Sequence, residues 1–290
     1  MRLPPRVYCF ACNSRDKRLP WLSDGIALAR CENCGAEWIE GPVHGEQAYS
    51  YSHIDQRGER YLTGRARRFG AYLQGVGGRS GRLLDVGCGE GAFLRVATQL
   101  GWDATGVELT EEACAAARAQ TGFSVVTGDL TKDDLFGGRS FDVVTLWGVL
   151  EHVPNPEELL RSCTRLLAKD GKLLIECPNP QGLFRVVGLG LARMSRSRIK
   201  RPLLETMGAG HVVWYSQRSI RQAAYRLGLG VVELRGSRNS TRNLVSRWAG
   251  LPQPQRSIAQ GATAVLNMVA APLGHPNQIT AALSCQIDTQ

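Results

Sequence analysis

One short stretch constrains the fold of this chain more than any other. The apolar run Arg82–Val86 carries a carboxylate, Asp85, near its end and leads through Gly87, Gly89 and Gly91 into a helical pattern, Gly91–Leu100. Glycines let the backbone approach a ligand that a Cβ atom would block, and the N-terminus of the helix favours negative charge. A strand that turns through glycines into a helix is typical of an open α/β sheet with a ligand at its edge.

The rest of the chain continues this alternation of strand and helix. Further strands are predicted at Thr105–Leu109, Phe123–Thr127, Phe141–Leu146, Lys172–Cys177, Gly230–Leu234 and Gln278–Gln286. Helices are predicted at Glu111–Gln120, Asn155–Ala168 and Ser216–Leu227, with Thr110 and Ser216 as start signals. The fold class is therefore α/β: a Rossmann-like, seven-stranded, mostly parallel sheet with helices on both faces.

The composition divides the chain into three regions. Residues 1–45 hold paired cysteines, residues 46–80 form an arginine-rich helical cap with a helix from Gln56 to Leu73, and residues 81–290 form the α/β domain. That domain carries insertions at 182–210 and 236–276, and the second shows little strand character. The first mixes apolar and basic residues, which fits a lid or a helix on a membrane surface. Because Gly188 and Gly190 weaken a continuous helix, we favour the lid.

The paired cysteines predict a metal site. Cys9 and Cys12 form one Cys-x-x-Cys pair, and Cys31 and Cys34 form a second after a spacing usual for a zinc ribbon. Four thiolates suit tetrahedral Zn²⁺ and leave no open position, so we expect a structural, zinc-ribbon-like element without catalysis. The other five cysteines are isolated, and we interpret them as small buried side chains.

Asp85 argues against a dinucleotide ligand, although Gly87-x-Gly89-x-x-Ala92 satisfies a relaxed dinucleotide fingerprint. A carboxylate there would repel a pyrophosphate but would attract an ammonium group. Asp85-Val-Gly-Cys-Gly-Glu-Gly resembles the first motif of class I S-adenosylmethionine-dependent methyltransferases, and the resemblance runs from about Arg82 to Leu234.

The resemblance implies the cofactor contacts. In that family the acid that ends the second strand, here Glu108, holds the ribose hydroxyls, and Asp129 matches an acid that meets the adenine amine. Tyr49 and Tyr51 match tyrosines that cover the cofactor in relatives with this arrangement. The complete set of expected S-adenosylmethionine contacts is Asp85, Gly87, Cys88, Gly89, Gly91, Glu108, Leu109, Asp129, Leu130, Trp147 and Tyr51.

Two histidines are candidate general bases for the acceptor. His152 lies in Leu150-Glu-His-Val, which resembles a motif after the fourth strand of many small-molecule methyltransferases. His211 precedes the helix after the fifth strand, where similar enzymes of quinone and glycan pathways often carry a histidine. A near-neutral pKa suits histidine to this role, although a lone histidine is more often structural.

Three functions remain open for this chain, whose net charge is +9. We favour O- or C-methylation of a small-molecule acceptor in natural-product, sugar or quinone metabolism; sugar C-methyltransferases resemble the chain in both the four-cysteine element and the central domain. An RNA methyltransferase would use the zinc knuckle and basic surface, but Leu146-Trp-Gly-Val replaces the motif expected for methylation of base amines. The third function is a non-catalytic partner that retains the cofactor fold.

The cellular location follows from what the sequence lacks. The first residues, Met1–Pro5, contain no apolar signal region, and no apolar run is long enough to span a membrane, so we expect a cytoplasmic protein. The acceptor, the methylated atom and the oligomeric state stay open.

Overall fold

The computed structural model describes residues 2–3, 5–23, 25–42, 59–76, 78, 80–121, 123–208, 210–237, 248 and 250–285. The strands are β1 (Arg2–Leu3), β2 (Lys17–Ser23), β3 (Ile26–Cys31), β4 (Glu37–Pro42), β5 (Gly81–Val86), β6 (Trp102–Glu108), β7 (Ser124–Thr127), β8 (Phe141–Trp147), β9 (Leu167–Pro178), β10 (Val213–Trp214), β11 (Gly230–Ser237) and β12 (Gln278–Ser284). The α-helices are α1 (Glu59–Val76), α2 (Ala92–Gln99), α3 (Glu111–Thr121), α4 (Pro156–Arg165), α5 (Leu183–Met194), α6 (Arg201–Met207), α7 (Gln217–Arg226) and α8 (Gln255–Ala270).

A seven-stranded sheet with the order β11-β12-β9-β8-β5-β6-β7 confirms the predicted Rossmann-like class. The pairs β5–β6, β6–β7, β5–β8 and β8–β9 are parallel. The chain moves outward from β5 in one direction through β6 and β7, and then returns to β8 on its other side. In an open sheet, this reversal leaves a crevice at the carboxyl ends of the central strands, where ligands bind.

The central strands form where the sequence is apolar without alternation. Leu83 and Leu84 in β5 and Val143 and Val144 in β8 are fully buried, as expected for strands covered on both faces. Strand β9 begins at Leu167, five residues before the predicted Lys172, because Leu167 pairs with Phe141 of β8. Helix α4 accordingly ends at Arg165, before the predicted Ala168.

The residues group into two compact units that differ from the sequence-based division. The first unit comprises Met1–Ala48, Cys177–Gln222 and Leu234–Thr280. The second comprises Tyr49–Glu176, Ala223–Glu233 and Ala281–Gln290. Both expected insertions, 182–210 and 236–276, therefore belong with the cysteine region. Whether 81–290 folds as one domain stays a prediction.

The first unit is built on a small antiparallel sheet, in which β1-β4-β3-β2 follow one another and β10 also pairs with β4. Val213 of β10 lies opposite Trp38, and Trp214 lies opposite Glu37. The sequence contained no sign that this segment would complete the sheet of the cysteine region, because a two-residue strand is too short for a periodic pattern.

Residues 182–210 contain two helices, contrary to the expectation that glycines would interrupt them. Helix α5 runs through Gly188 and Gly190, and a Cβ atom at Gly188 would lie 2.8 Å from the backbone nitrogen of Leu203. Glycine at 188 thus allows α6 to approach α5 closely. Both helices share a core with the cysteine region; its buried members are Trp21, Leu28, Ile39, Ala192, Leu203, Met207 and Trp214.

The second expected insertion, 236–276, contains a helix, α8, which packs against α5. Among the described residues, no helix is both long and apolar enough to cross a membrane.

Candidate active site

Asp85 lies near the carboxyl end of β5, at the reversal of strand order, and its side chain is buried. The Thr145 hydroxyl of the neighbouring strand β8 donates a hydrogen bond to Asp85 Oδ1 at 2.6 Å. Burial raises the pKa of Asp85 to about 7, against the opposing effects of Thr145 and the positive charge of Arg65. A nearby positive charge favours the ionised form of a buried carboxyl group. A cationic ligand would therefore be well matched to Asp85.

A turn built on three glycines follows directly after β5. Gly87, Gly89 and Gly91 all have positive φ values, of 67°, 53° and 77°. The Gly87 amide donates to the carbonyl oxygen of Val107 at 2.8 Å, which ties the turn to β6. A Cβ atom at Gly87 would lie 2.8 Å from Val149 Cγ2. The turn therefore requires glycine both for its backbone conformation and for space.

Glu108 ends β6 beside the same turn. Its carboxylate accepts hydrogen bonds from the Gly89 amide at 3.1 Å and from the Leu109 amide at 2.7 Å. A carboxylate has about four lone-pair positions, so acceptor capacity remains for a vicinal diol. The Leu109 side chain is exposed next to it.

Asp129 follows β7 and is engaged in a turn. Its Oδ1 accepts from the Thr131 amide at 3.0 Å, and its Oδ2 lies 3.0 Å from Lys132 Nζ. Partial burial acts to raise the pKa of Asp129, but hydrogen bonds from Thr131 and Lys132 outweigh burial and lower it. Leu130 is buried. The Asp129 carboxylate therefore already accepts hydrogen bonds within this turn. Its expected contact with the adenine amine stays a prediction.

Cys88 and Trp147 are buried members of the same hydrophobic cluster. Burial raises the pKa of the Cys88 thiol well above its usual range, so Cys88 is a space-filling side chain and not a nucleophile. Trp147 stacks on Phe69 of α1 with ring centroids 4.2 Å apart. Its Nε1 is buried and has no hydrogen-bond partner among the described residues.

Arg65 and Thr145 are site residues that sequence analysis missed. Arg65 of α1 donates to the carbonyl oxygen of Trp147 at 3.2 Å. Its guanidinium lies so close to Gly148 that a Cβ atom at this position would clash with it. Arg65 also lies 3.7 Å from the buried carboxylate of Glu176, to which Arg68 donates at 2.8 Å. The only sequence signals were a hydroxyl residue in the apolar run 143–147 and the cluster of arginines in α1.

The other predicted residues are two tyrosines and the two histidines. Tyr49 and Tyr51 lie outside the described residues. His152 is half-buried in a short 3₁₀ helix, Leu150–His152, directly after β8. His211 is half-buried in the first unit, where its ring packs over Gly208 and lies 6.1 Å from the ring of Trp214. The roles of both histidines stay predictions.

The four paired cysteines converge in the first unit. Their sulfur atoms all lie within 4.8 Å of one another, with 3.5 Å between Cys9 and Cys34 and between Cys12 and Cys31. Sulfurs around one tetrahedral zinc ion would be ~3.8 Å apart, so the arrangement fits the metal. A hydrogen bond from Cys34 lowers the pKa of Cys9 to about 5 against the opposing effect of burial. None of these four cysteines forms a disulfide bond.

Comparison with known proteins places this site in a family. A sequence profile described as a methyltransferase domain matches residues 56–234, more than half of the chain. The chain belongs to the methyltransferase domain family. The matched range contains every predicted cofactor residue except Tyr51, together with His152 and His211, whereas the four-cysteine element and helix α8 lie outside it.

Individual relatives resemble only part of this chain. It is 31% identical over 173 residues to a ubiquinone biosynthesis O-methyltransferase of Caulobacter sp. (strain K31), covering 55% of this chain and 65% of that protein. It is 34% identical over 117 residues to the protein of the same name from Pseudomonas aeruginosa (strain UCBPP-PA14), covering 37% and 50%. The chain thus spans about half to two thirds of the curated relatives it matches.

The fold is shared with a solved methyltransferase. The structure of a SAM-dependent methyltransferase from Archaeoglobus fulgidus superimposes with a TM-score of 0.53 at 20% sequence identity, covering 81% of this chain and 100% of that one. At this identity, the likeness concerns the fold alone.

Proposed function

We propose that this methyltransferase transfers a methyl group from S-adenosylmethionine to a small-molecule acceptor, and that the acceptor atom is a hydroxyl oxygen on an aromatic or quinol-type ring. The observation that carries the proposal is the buried Asp85 beside a turn of glycines with positive φ, at the reversal of strand order. The ring hydroxyl is suggested by the O-methyltransferases of ubiquinone biosynthesis that the chain resembles.

The residues around the turn suit each part of S-adenosylmethionine. Asp85 would accept from its ammonium group, and the free lone pairs of Glu108 would accept from its ribose hydroxyls. Gly87 and Gly89 would allow the backbone to approach the ligand, and Trp147 would close the site from the core side. When bound, S-adenosylmethionine supplies an electrophilic methyl group on a good leaving group, so the protein mainly has to position the acceptor.

A base completes the reaction by removing the proton of the acceptor hydroxyl. As the oxygen forms its bond to the methyl carbon and the bond between sulfur and that carbon breaks, the hydroxyl proton passes to the base. His211 and His152 are the candidates, since histidine titrates close to neutral pH.

We further propose that Cys9, Cys12, Cys31 and Cys34 hold a structural zinc ion. The distances between their sulfurs support this assignment. With four protein ligands, the ion would stabilise the antiparallel sheet and would take no part in methyl transfer.

The test is a transfer assay with S-adenosylmethionine labelled in its methyl group and a panel of catechols, hydroquinones and sugars, at saturating cofactor. We expect label in the ring hydroxyls of one acceptor class, and a fall in kcat of about 100-fold or more for whichever of His211→Ala and His152→Ala removes the base. An unchanged kcat excludes that histidine. If no acceptor is labelled and calorimetry detects no S-adenosylmethionine binding, the proposal is wrong.

A further inference from the structure

Helix α8 has its polarity inverted relative to a surface helix of a globular protein. It buries two polar side chains, Thr263 and Asn267, on its inner face. It exposes Ile258, Val265 and Met268, with 69%, 55% and 63% of their surface accessible. At 3.6 residues per turn, these three positions fall on one side of the helix. A surface helix normally places its apolar stripe inward, so this outward stripe indicates a contact outside the chain.

The inward polar residues fix the orientation of the helix. Thr263 Oγ1 accepts from the buried Trp248 Nε1 at 2.8 Å, and Asn267 Oδ1 accepts from Asn277 Nδ2 at 3.0 Å. Buried polar groups are costly unless they are hydrogen-bonded, and these are bonded. Rotating the helix to hide its apolar stripe would break both bonds and bring three large hydrophobic side chains into their place.

The segment that packs beside α8 is apolar on its outside as well. Helix α5 and the turn after it expose Leu191, Met194 and Ile199, and Met194 is 87% accessible. Of the sixteen large hydrophobic side chains that are exposed in the described residues, nine fall within 186–204 and 258–273. We call these two ranges the exposed apolar face.

The charge of this face selects its partner. Arg193, Arg196, Arg198, Lys200 and Arg201 follow one another within nine residues, and Glu205 is the single acid in the sequence from 183 to 207. The sequence from 251 to 276 contains Arg256 and no acidic residue. Two copies of so basic a face would repel each other. Anionic lipid headgroups combine negative charge with an apolar layer below them.

We propose that the exposed apolar face docks on an anionic membrane surface. Ile258, Val265 and Met268 enter the boundary between headgroups and acyl chains, and the arginines from 193 to 201 contact the headgroup phosphates. Helix α8 lies in the plane of the surface and does not cross it. The inference rests on this face alone and is independent of the reaction that the protein catalyses.

The test is co-sedimentation of the full chain with vesicles of phosphatidylcholine alone or with about one third phosphatidylglycerol. We expect sedimentation with the anionic vesicles only. The variant Ile258→Ser/Val265→Ser/Met268→Ser should reduce partitioning ~10-fold or more, because it removes the inserted apolar surface. Arg196→Gln/Arg198→Gln should reduce it roughly 30-fold at low salt. The matched control Tyr225→Ser/Val232→Ser removes exposed apolar side chains outside this face and should sediment like the unmodified protein.

The three mutated side chains are exposed on α8, so we expect the triple serine variant to fold. Circular dichroism checks its folding and thereby separates loss of binding from loss of folding. The proposal is overturned if the unmodified protein stays in solution with anionic vesicles, or binds neutral vesicles equally. It is also overturned if light scattering reveals a dimer that the triple serine variant abolishes, because the face then binds a second copy.

Discussion

Burial and the binding of a cationic ligand favour opposite protonation states of Asp85. Its carboxyl group is buried, which favours the neutral form and raises its pKa to about 7 from a usual value of 3.8. Because the folded state then binds the proton more tightly, the residue's contribution to stability is fully present below pH 3.8 and is lost as the pH rises toward 7. A cationic ligand reverses this preference, since it favours the carboxylate.

Ligand affinity should therefore depend on pH through Asp85. Near pH 6 only about a tenth of the protein has this carboxylate ionised, so the affinity for S-adenosylmethionine should be ~10-fold weaker than its plateau above pH 8. Asp85→Asn should weaken binding at pH 8 by ~10-fold or more and remove this pH dependence. Titration calorimetry at three pH values measures both. The control Asp103→Asn changes an exposed carboxylate in β6 and should behave like the unmodified protein; equal pH profiles for Asp85→Asn and the unmodified protein would contradict the prediction.

At this scale, sequence analysis located residues whose type is dictated by backbone conformation. Gly87, Gly89 and Gly91 were predictable because positive φ at a strand-to-helix turn leaves few alternatives to glycine. Arg65 and Thr145 were not, because their relation to Asp85 arises from the pairing of β5 with β8 and the packing of α1, which no local pattern encodes.

A buried ion pair joins the elements of the first unit. Glu37 of β4 is fully buried, and Arg185 of α5 donates to its Oε2 at 2.7 Å and 2.9 Å. Arg185 also lies over the ring of Trp214, 4.2 Å from its centroid. A helix from the insertion and a strand from the cysteine region are thus joined by a buried ion pair, and Arg30 of β3 is a second cationic partner of Glu37.

Breaking this pair should be costly. Arg185→Met should reduce the free energy of unfolding in urea by about 1–3 kcal/mol, because buried Glu37 loses one of its two cationic partners while Arg30, which donates to its Oε1 at 2.7 Å, remains, and Glu37→Leu/Arg185→Met should recover part of that loss. Arg18→Gln is the control, since the contact between Arg18 and Glu32 is exposed; it should change stability by less than about 1 kcal/mol. A double variant less stable than Arg185→Met would disprove the coupling.

The cysteine cluster should act on elements far from it in sequence. Cys31→Ser should lower the zinc content measured on protein purified without chelator, and should speed hydrogen exchange in β10 and α5, which pack with the same sheet. Cys285→Ser is the control, since Cys285 is distant in sequence and outside the cluster. Metal-free unmodified protein, or exchange that changes only within residues 9–34, would refute the prediction.

Element by element, prediction succeeded where periodicity is local and failed where pairing decides. The seven strands of the large sheet were found because each is an apolar run next to a turn. Strand β10 and helix α8 were missed for different reasons. Strand β10 is only two residues long, which is too short for a periodic pattern. Helix α8 exposes its apolar residues, so the expectation that apolar residues face the core does not identify it.

For the molecule as a whole, the first unit draws on three separate stretches of chain, the last of which ends at Thr280. At the usual rate of bacterial or eukaryotic translation, roughly 10–50 s pass between the appearance of the first cysteines and that of the last stretch. During this interval Trp21, Leu28 and Ile39 emerge from the ribosome before their partners in the core exist. The nascent chain is therefore a natural client for chaperones at the ribosomal exit, because the antiparallel sheet and its core stay incomplete until Leu203, Met207 and Trp214 have been made.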